Sequence, residues 1–136
     1  MSNHAAVLDP ALLRRLVARL EKEEHLAAAY LLGSAVRGAL RSDSDLDIAL
    51  LPVHGRVIAG EDRLSLAADL EDLAGRPVDV GVLSTANLVY AKEAVAHGRV
   101  MFERDRAARA RFAMLVLSMY ASLQESRRKV LHAYAA

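Results

Sequence analysis

Gly33-Ser34 is followed, after ten residues, by Asp45-Leu46-Asp47, and apolar runs frame both segments. No other feature constrains the chain as strongly. An apolar run that stops at a glycine reads as a buried strand entering a tight turn. In the next strand, residues two apart share one face, so Asp45 and Asp47 project together while Leu46 and Ile48 point into a core. Asp79, between Val78 and Val80, repeats the pattern in a third short apolar run. If the second and third strands are neighbours, three carboxylates converge.

That convergence has a chemistry. Magnesium takes oxygen ligands, keeps several waters and shares its remaining positions with substrate phosphates. Three carboxylates suffice for a two-metal site that steadies an attacking oxygen and a leaving pyrophosphate. Gly33 lets the backbone approach a phosphate, and a helix start after it offers free amide donors. Ser34 adds a hydroxyl donor. Arg37, about one helical turn further on, can reach the same phosphates or stand as an exposed helix arginine. Alone, a Gly-Ser pair is a capped turn and an Asp-x-Asp a strand end. Their spacing joins them into one candidate site, while Asp43 reads as turn chemistry.

The rest of the chain reads as helix, strand, short helix, strand, helix, strand, helix and long helix, an α/β pattern with a small sheet covered by helices. Asp9 caps the first helix, Pro10 opens it and Leu8 staples onto Leu13. His25 to Leu32 is the first strand, Ala35 to Leu40 the short helix, and Asp45 to Leu51 the second strand. Residues 53–60 read as a loop. The next helix shows Leu64, Ala67, Leu70, Leu73 and Ala74 on one side, with Gly75 as its C-cap. Val78 to Leu83 is the third strand, and Ser84 or Thr85 starts a helix running to about Ala96. Val100 to Phe102 is too short to assign. A core of about 9–102 and a final helix of about 105–134 make one domain over 1–136.

Composition narrows the functional classes. At 136 residues there is room for a single core. The formal charge of +1 offers no global field for nucleic acid. There is no cysteine, which removes disulfides, thiol catalysis and thiolate metal sites. The first residues are neither basic nor apolar enough for a secretory signal, and no run reaches membrane-spanning length. A soluble, cytoplasmic protein without membrane contact is expected. His4, His25, His54, His97 and His132 show no metal-ligand spacing. Arg104, Arg106, Arg109 and Arg111, alternating with alanines, read as a solvated helix face, with an acidic partner or RNA as the alternative.

The stretch from Gly33 to Asp47, with Arg37-Gly38 and Ser44-Asp45-Leu46-Asp47-Ile48, resembles the signature of the DNA polymerase β-like nucleotidyltransferase superfamily. Its context is similar to the minimal nucleotidyltransferases, the MNT group, over roughly Leu26 to Phe102. The resemblance implies a polymerase β-like fold with a long C-terminal helix. It also implies Gly33 and Ser34 as triphosphate binders, Asp45 and Asp47 as metal ligands, and Asp79 as the third carboxylate, aiding the nucleophile. Ala35 stands where the family usually has an arginine.

MNT proteins are typically antitoxins paired with a HEPN-type ribonuclease toxin. The resemblance therefore implies Mg2+, ATP as substrate, and AMP transfer to a tyrosine hydroxyl of the toxin, within a hetero-oligomer and without nucleic acid as direct ligand. Two alternatives remain: transfer to a small molecule such as an aminoglycoside, or an antitoxin acting by binding alone. In the final helix, Phe112, Leu115, Met119 and Leu123 form an apolar stripe, widened by Val116 and Tyr120, that packs on the domain or docks a partner.

Overall fold

The computed structural model describes residues 8–36 and 44–135. The first helix, α1 (Pro10–Leu20), opens as its sequence dictates: the Asp9 carboxylate accepts from the Ala11 amide at 3.1 Å, and proline fills the first position. It buries Leu16 and Leu20 in the core that also takes Leu8, and Leu13 packs against that core. Strand β1 (Leu26–Leu32) is buried at every position, which is why three alanines serve in it. A central strand covered on both faces has little room for side chains.

A 3-10 turn (Gly33–Ala35) follows, then β2 (Leu46–Pro52), α2 (Gly60–Ala74), β3 (Val78–Val82), a second 3-10 turn (Thr85–Asn87), α3 (Leu88–His97), β4 (Arg99–Glu103) and α4 (Arg106–Ala135). Gly75 ends α2 with φ +68, the left-handed conformation that favours glycine. The Ser84 hydroxyl accepts from the Ala86 amide at 2.9 Å and caps the turn leading into α3. Beyond Val36, the expected short helix falls on residues 37–40, outside the described residues.

The sheet order is β3-β2-β1-β4. Strand β1 runs antiparallel to β2 and β4, and β2 runs parallel to β3, so the sheet is mixed. One face, carrying Ala29, Leu31, Leu46, Ile48, Leu50, Val78 and Val80, packs under α1 and α2. The other, carrying Ala28, Tyr30, Leu32, Ala49 and Leu51, packs under α3 and the buried Val116 of α4. The outer backbone groups of edge strand β3 are met from α2. Arg63 donates to the Val80 carbonyl at 3.0 Å, and Glu71 accepts from the Val78 amide at 3.1 Å. Such cover blunts a sheet edge.

Those two contacts also fix the rotation of α2 and correct the sequence expectation for it. Leu66 and Leu70 are buried, whereas Leu64 is 63% and Leu73 37% exposed. Arg63, Leu66, Ala67, Leu70, Glu71 and Ala74 share the inward side because the β3 edge demands the arginine and the glutamate there. The helix begins at Gly60, so the loop expected over residues 53–60 ends one residue earlier. Residues 100–102, too short to assign from sequence, form the middle of β4 because β1 offers them a partner.

Helix α4 likewise turns by one residue from its expected stripe. Val116 is fully buried, while Leu115 and Met119 face outward. Tyr120 turns inward and receives the Lys92 ammonium over its ring, 5.0 Å from the centroid. Two members of the arginine cluster are engaged in contacts. Arg104 donates to the carbonyls of Glu21, Glu23 and Leu26, closing the turn after α1. Arg109 pairs with Glu103 at 3.1 Å. Among the described residues, no helix is long and apolar enough to cross a membrane.

Candidate active site

Strand register assembles the site. Antiparallel pairing sets Leu32, the residue before the turn, opposite Asp47. Parallel pairing sets Asp47 opposite Asp79. Both carboxylates lie on the α3 and α4 face, because Leu46, Ile48, Val78 and Val80 take the other one. Gly33 adopts φ +70, and a Cβ placed on it would stand 2.8 Å from Asp47 Oδ2. The turn thus needs glycine twice over: for its backbone conformation and for the carboxylate laid against it. Asp47 is half-buried, whereas Asp79 is exposed and Asp45 sits exposed just before β2 begins. Ser34, half-buried, is in the 3-10 turn beside the pair.

The acids feel one another. Burial holds the Asp47 carboxyl above the ordinary aspartate range, and the charges of Asp79 and then Asp45 raise it further. A half-buried carboxylate facing two like charges is poorly solvated. The donor set is all hard oxygens, with Asp47 and Asp79 on one face, and fits a divalent cation that would relieve this repulsion. Among the described residues, no three histidine or acidic side chains stand close enough together to hold a metal ion.

Two residues that sequence reasoning passed over border the acids. Tyr90 of α3 lays its hydroxyl against Gly81 of β3, two residues after Asp79. Burial first, then Asp79 and Asp47, raises the Tyr90 phenol above its ordinary pKa. The isolated glycine in Val-Asp-Val-Gly-Val was the available signal, since glycine inside a strand often marks a close approach. On the other side of the turn, a cavity of about 280 Å³ is lined by Leu32, Gly33, Glu93, His97 and Gly98. Glu93 and His97 are four apart on α3, a spacing that puts both on one face.

Other sequence candidates lie elsewhere. Arg37 falls outside the described residues. His54 follows the opposite end of β2, roughly 20 Å along the strand from Asp47 at 3.3 Å per residue. There it lines a groove with Arg111, Phe112 and Leu115.

Known proteins supply the frame for this geometry. No curated protein matches the sequence. Among solved structures, a chain from the crystal structure of a toxin–antitoxin with AMP-PNP is 26% identical. It superposes with a TM-score of 0.73, over 95% of this chain and 100% of that one. A toxin–antitoxin MntA–HpeT complex bearing two aspartate-to-glutamate replacements gives 25% identity and a TM-score of 0.74, over 95% and 100%. The fold is shared with a chain from the tri-AMPylated Shewanella oneidensis HEPN toxin in complex with MNT antitoxin, at 24% identity, TM-score 0.70, over 93% and 98%. Residues 14–107 match the family described as polymerase beta, nucleotidyltransferase. That match spans more than half of the chain, which therefore belongs to the polymerase β nucleotidyltransferase family.

Proposed function

We propose that the chain is an antitoxin nucleotidyltransferase that moves AMP from ATP to a tyrosine hydroxyl of a HEPN-type toxin. The observation that carries this reading is the register of Asp47 with Asp79 beside the Gly33 turn. The toxin–antitoxin setting and the ATP analogue come from the relative that is 26% identical over nearly the whole chain. The tyrosine acceptor comes from the resemblance to MNT antitoxins.

In this reading Gly33 and Ser34 hold the triphosphate, with the glycine backbone close to the phosphate oxygens and the serine hydroxyl donating to one. Arg37 adds charge to the same phosphates. Asp45, Asp47 and Asp79 hold Mg2+, which when bound neutralises charge on the triphosphate and on the leaving pyrophosphate. Asp79, exposed on the neighbouring strand, orients the acceptor and takes its proton. The acceptor oxygen forms a bond to the α-phosphorus, the bond between that phosphorus and the α–β bridging oxygen breaks, and pyrophosphate leaves.

The acceptor is a protein in this reading, as the resemblance to MNT antitoxins implies. A docking surface is at hand in α4. Its inward stripe of Val116, Tyr120 and Leu123 continues at helical spacing as Val130 and Tyr134, and these are 54% and 87% exposed. Arg127 lies within that extension and Lys129 beside it, while Arg128 pairs with Glu125; the two other cations suit an acidic partner surface. The complex works in the cytoplasm, as a hetero-oligomer.

The test is to incubate the protein with ATP, Mg2+ and the product of the adjacent reading frame, then weigh that partner. Nucleotidyl increments on a partner tyrosine, lost in Asp45→Asn/Asp47→Asn, support the reading. A partner that is inhibited but unmodified would replace it with antitoxin action by binding. Transfer to an aminoglycoside and not to the partner would replace it with a small-molecule enzyme.

A further inference from the structure

Gly81 leaves a gap on the site face of β3, and the gap is filled from α3. A Cβ on Gly81 would stand 2.2 Å from the Tyr90 hydroxyl oxygen, 2.8 Å from Cζ and 3.1 Å from Cε2. The hydroxyl therefore occupies the place where a side chain at position 81 would begin. Position 81 shares its face with Asp79, about 7 Å along the strand at two residues' rise. Its register partner on β2 is Ala49, next on that face after Asp47. A hydroxyl in this place is a same-face neighbour of Asp79 and a diagonal neighbour of Asp47, within the range over which such side chains interact.

The chemistry of the phenol suits one task. Burial and the two carboxylates disfavour its ionised form, so it stays a neutral donor beside acceptors. A half-buried donor next to an acidic pair has its natural acceptor there. The residue, meanwhile, packs against the buried cluster that includes Ala91 of α3 and Leu83.

We propose that Tyr90 is a positioning residue: its hydroxyl donates to the Asp79 carboxylate and fixes the direction in which that carboxylate meets the acceptor and the cation. Gly81 is part of the device, because any larger residue there displaces the hydroxyl. This role rests on the nucleotidyl-transfer reading above, and it adds to the acid triad a fourth side chain that the sequence motif does not contain.

Tyr90→Phe keeps the ring and removes only the donor, so the fold is retained. With ATP, Mg2+ and the toxin partner, kcat is expected to fall about 10- to 100-fold, the usual cost of losing an outer-shell partner, with KM for ATP unchanged. Mn2+ binding to the isolated protein, read by electron paramagnetic resonance, is expected to weaken as well. A second pair of variants separates donation from packing. Tyr90→Ala opens the space, and adding Gly81→Ser supplies a hydroxyl from the strand; partial recovery of rate follows if the donor matters.

Wild-type kcat in Tyr90→Phe would overturn the role. So would a nucleotidyl adduct on Tyr90 itself, which would make the hydroxyl an acceptor. If the wild-type protein modifies no partner at all, the reading of function fails, and the Mn2+ measurement still decides for Tyr90: unchanged affinity in Tyr90→Phe overturns its role there too.

Discussion

The Asp47 carboxylate lies against the bare Cα of Gly33, so close that a methyl on that glycine would stand 2.8 Å from Oδ2. One contact thus couples the turn that ends β1 to the first acid inside β2. Gly33→Ala should fail twice, by forcing a side chain onto φ +70 and by pushing the carboxylate aside. The expected cost is about 1–3 kcal/mol of stability from the backbone conformation alone. ATP binding should fall with it. Urea unfolding and nucleotide titration on the same variant check both effects, and a variant of native stability with full ATP affinity would sink the account.

Asp47 itself should cost the cation-free protein stability. Its folded pKa is raised by burial, then by Asp79 and Asp45. The fold therefore disfavours the ionised form. Stability from this group is highest below the unfolded-state pKa, falls as pH rises through the raised folded value, and stays reduced at neutral pH. Asp47→Asn removes that burden, so without divalent cation its Tm should rise by a few degrees at neutral pH. With Mg2+ and ATP the order should reverse, since only the wild type gains from binding. Thermal melts with and without Mg2+ and ATP provide the check.

Cation binding should carry the same signature in pH. A ligand must be ionised, and protons compete for Asp47 at a higher pH than for an ordinary aspartate. Mg2+ affinity is expected to decline on acidification while most surface carboxylates are still charged, with protons released on binding. Titration calorimetry in buffers of different ionisation enthalpy measures both. Affinity that stays constant down to the ordinary aspartate pKa would contradict the coupling.

The rotation of α2 gives a prediction independent of the site. Leu66→Ala should cost about 2–5 kcal/mol, as expected for a fully buried leucine. Leu64→Ala, on the exposed side, should stay within about 0.5 kcal/mol. A chemical denaturation series separates them, and equal costs would contradict the packing.

How far the sequence reached can be read element by element. Asp9-Pro10 and Gly75 each place a helix terminus through chemistry within a few residues, whereas Ser84 caps a 3-10 turn and α3 begins only at Leu88. The alternation around Asp47 and Asp79 fixed which face the acids take, because the strand period is two. Apolar spacing served the helices less well. In α2 and α4 the leucines outnumber the positions a core can cover, so spacing alone leaves several faces eligible, and Leu64 and Leu115 ended outside.

From its own residues the chain determined a glycine turn, two acid-bearing strands and a set of capped helices. Tertiary structure alone decided that β2 and β3 pair in parallel with Asp47 opposite Asp79, that residues 99–103 become a strand, and that Tyr90 reaches across to Gly81. The division has a physical cause. Caps, turns and strand faces follow from bonds and sterics among neighbours in sequence, whereas register and inter-element contact depend on partners dozens of residues away, chosen by burial of the whole sheet.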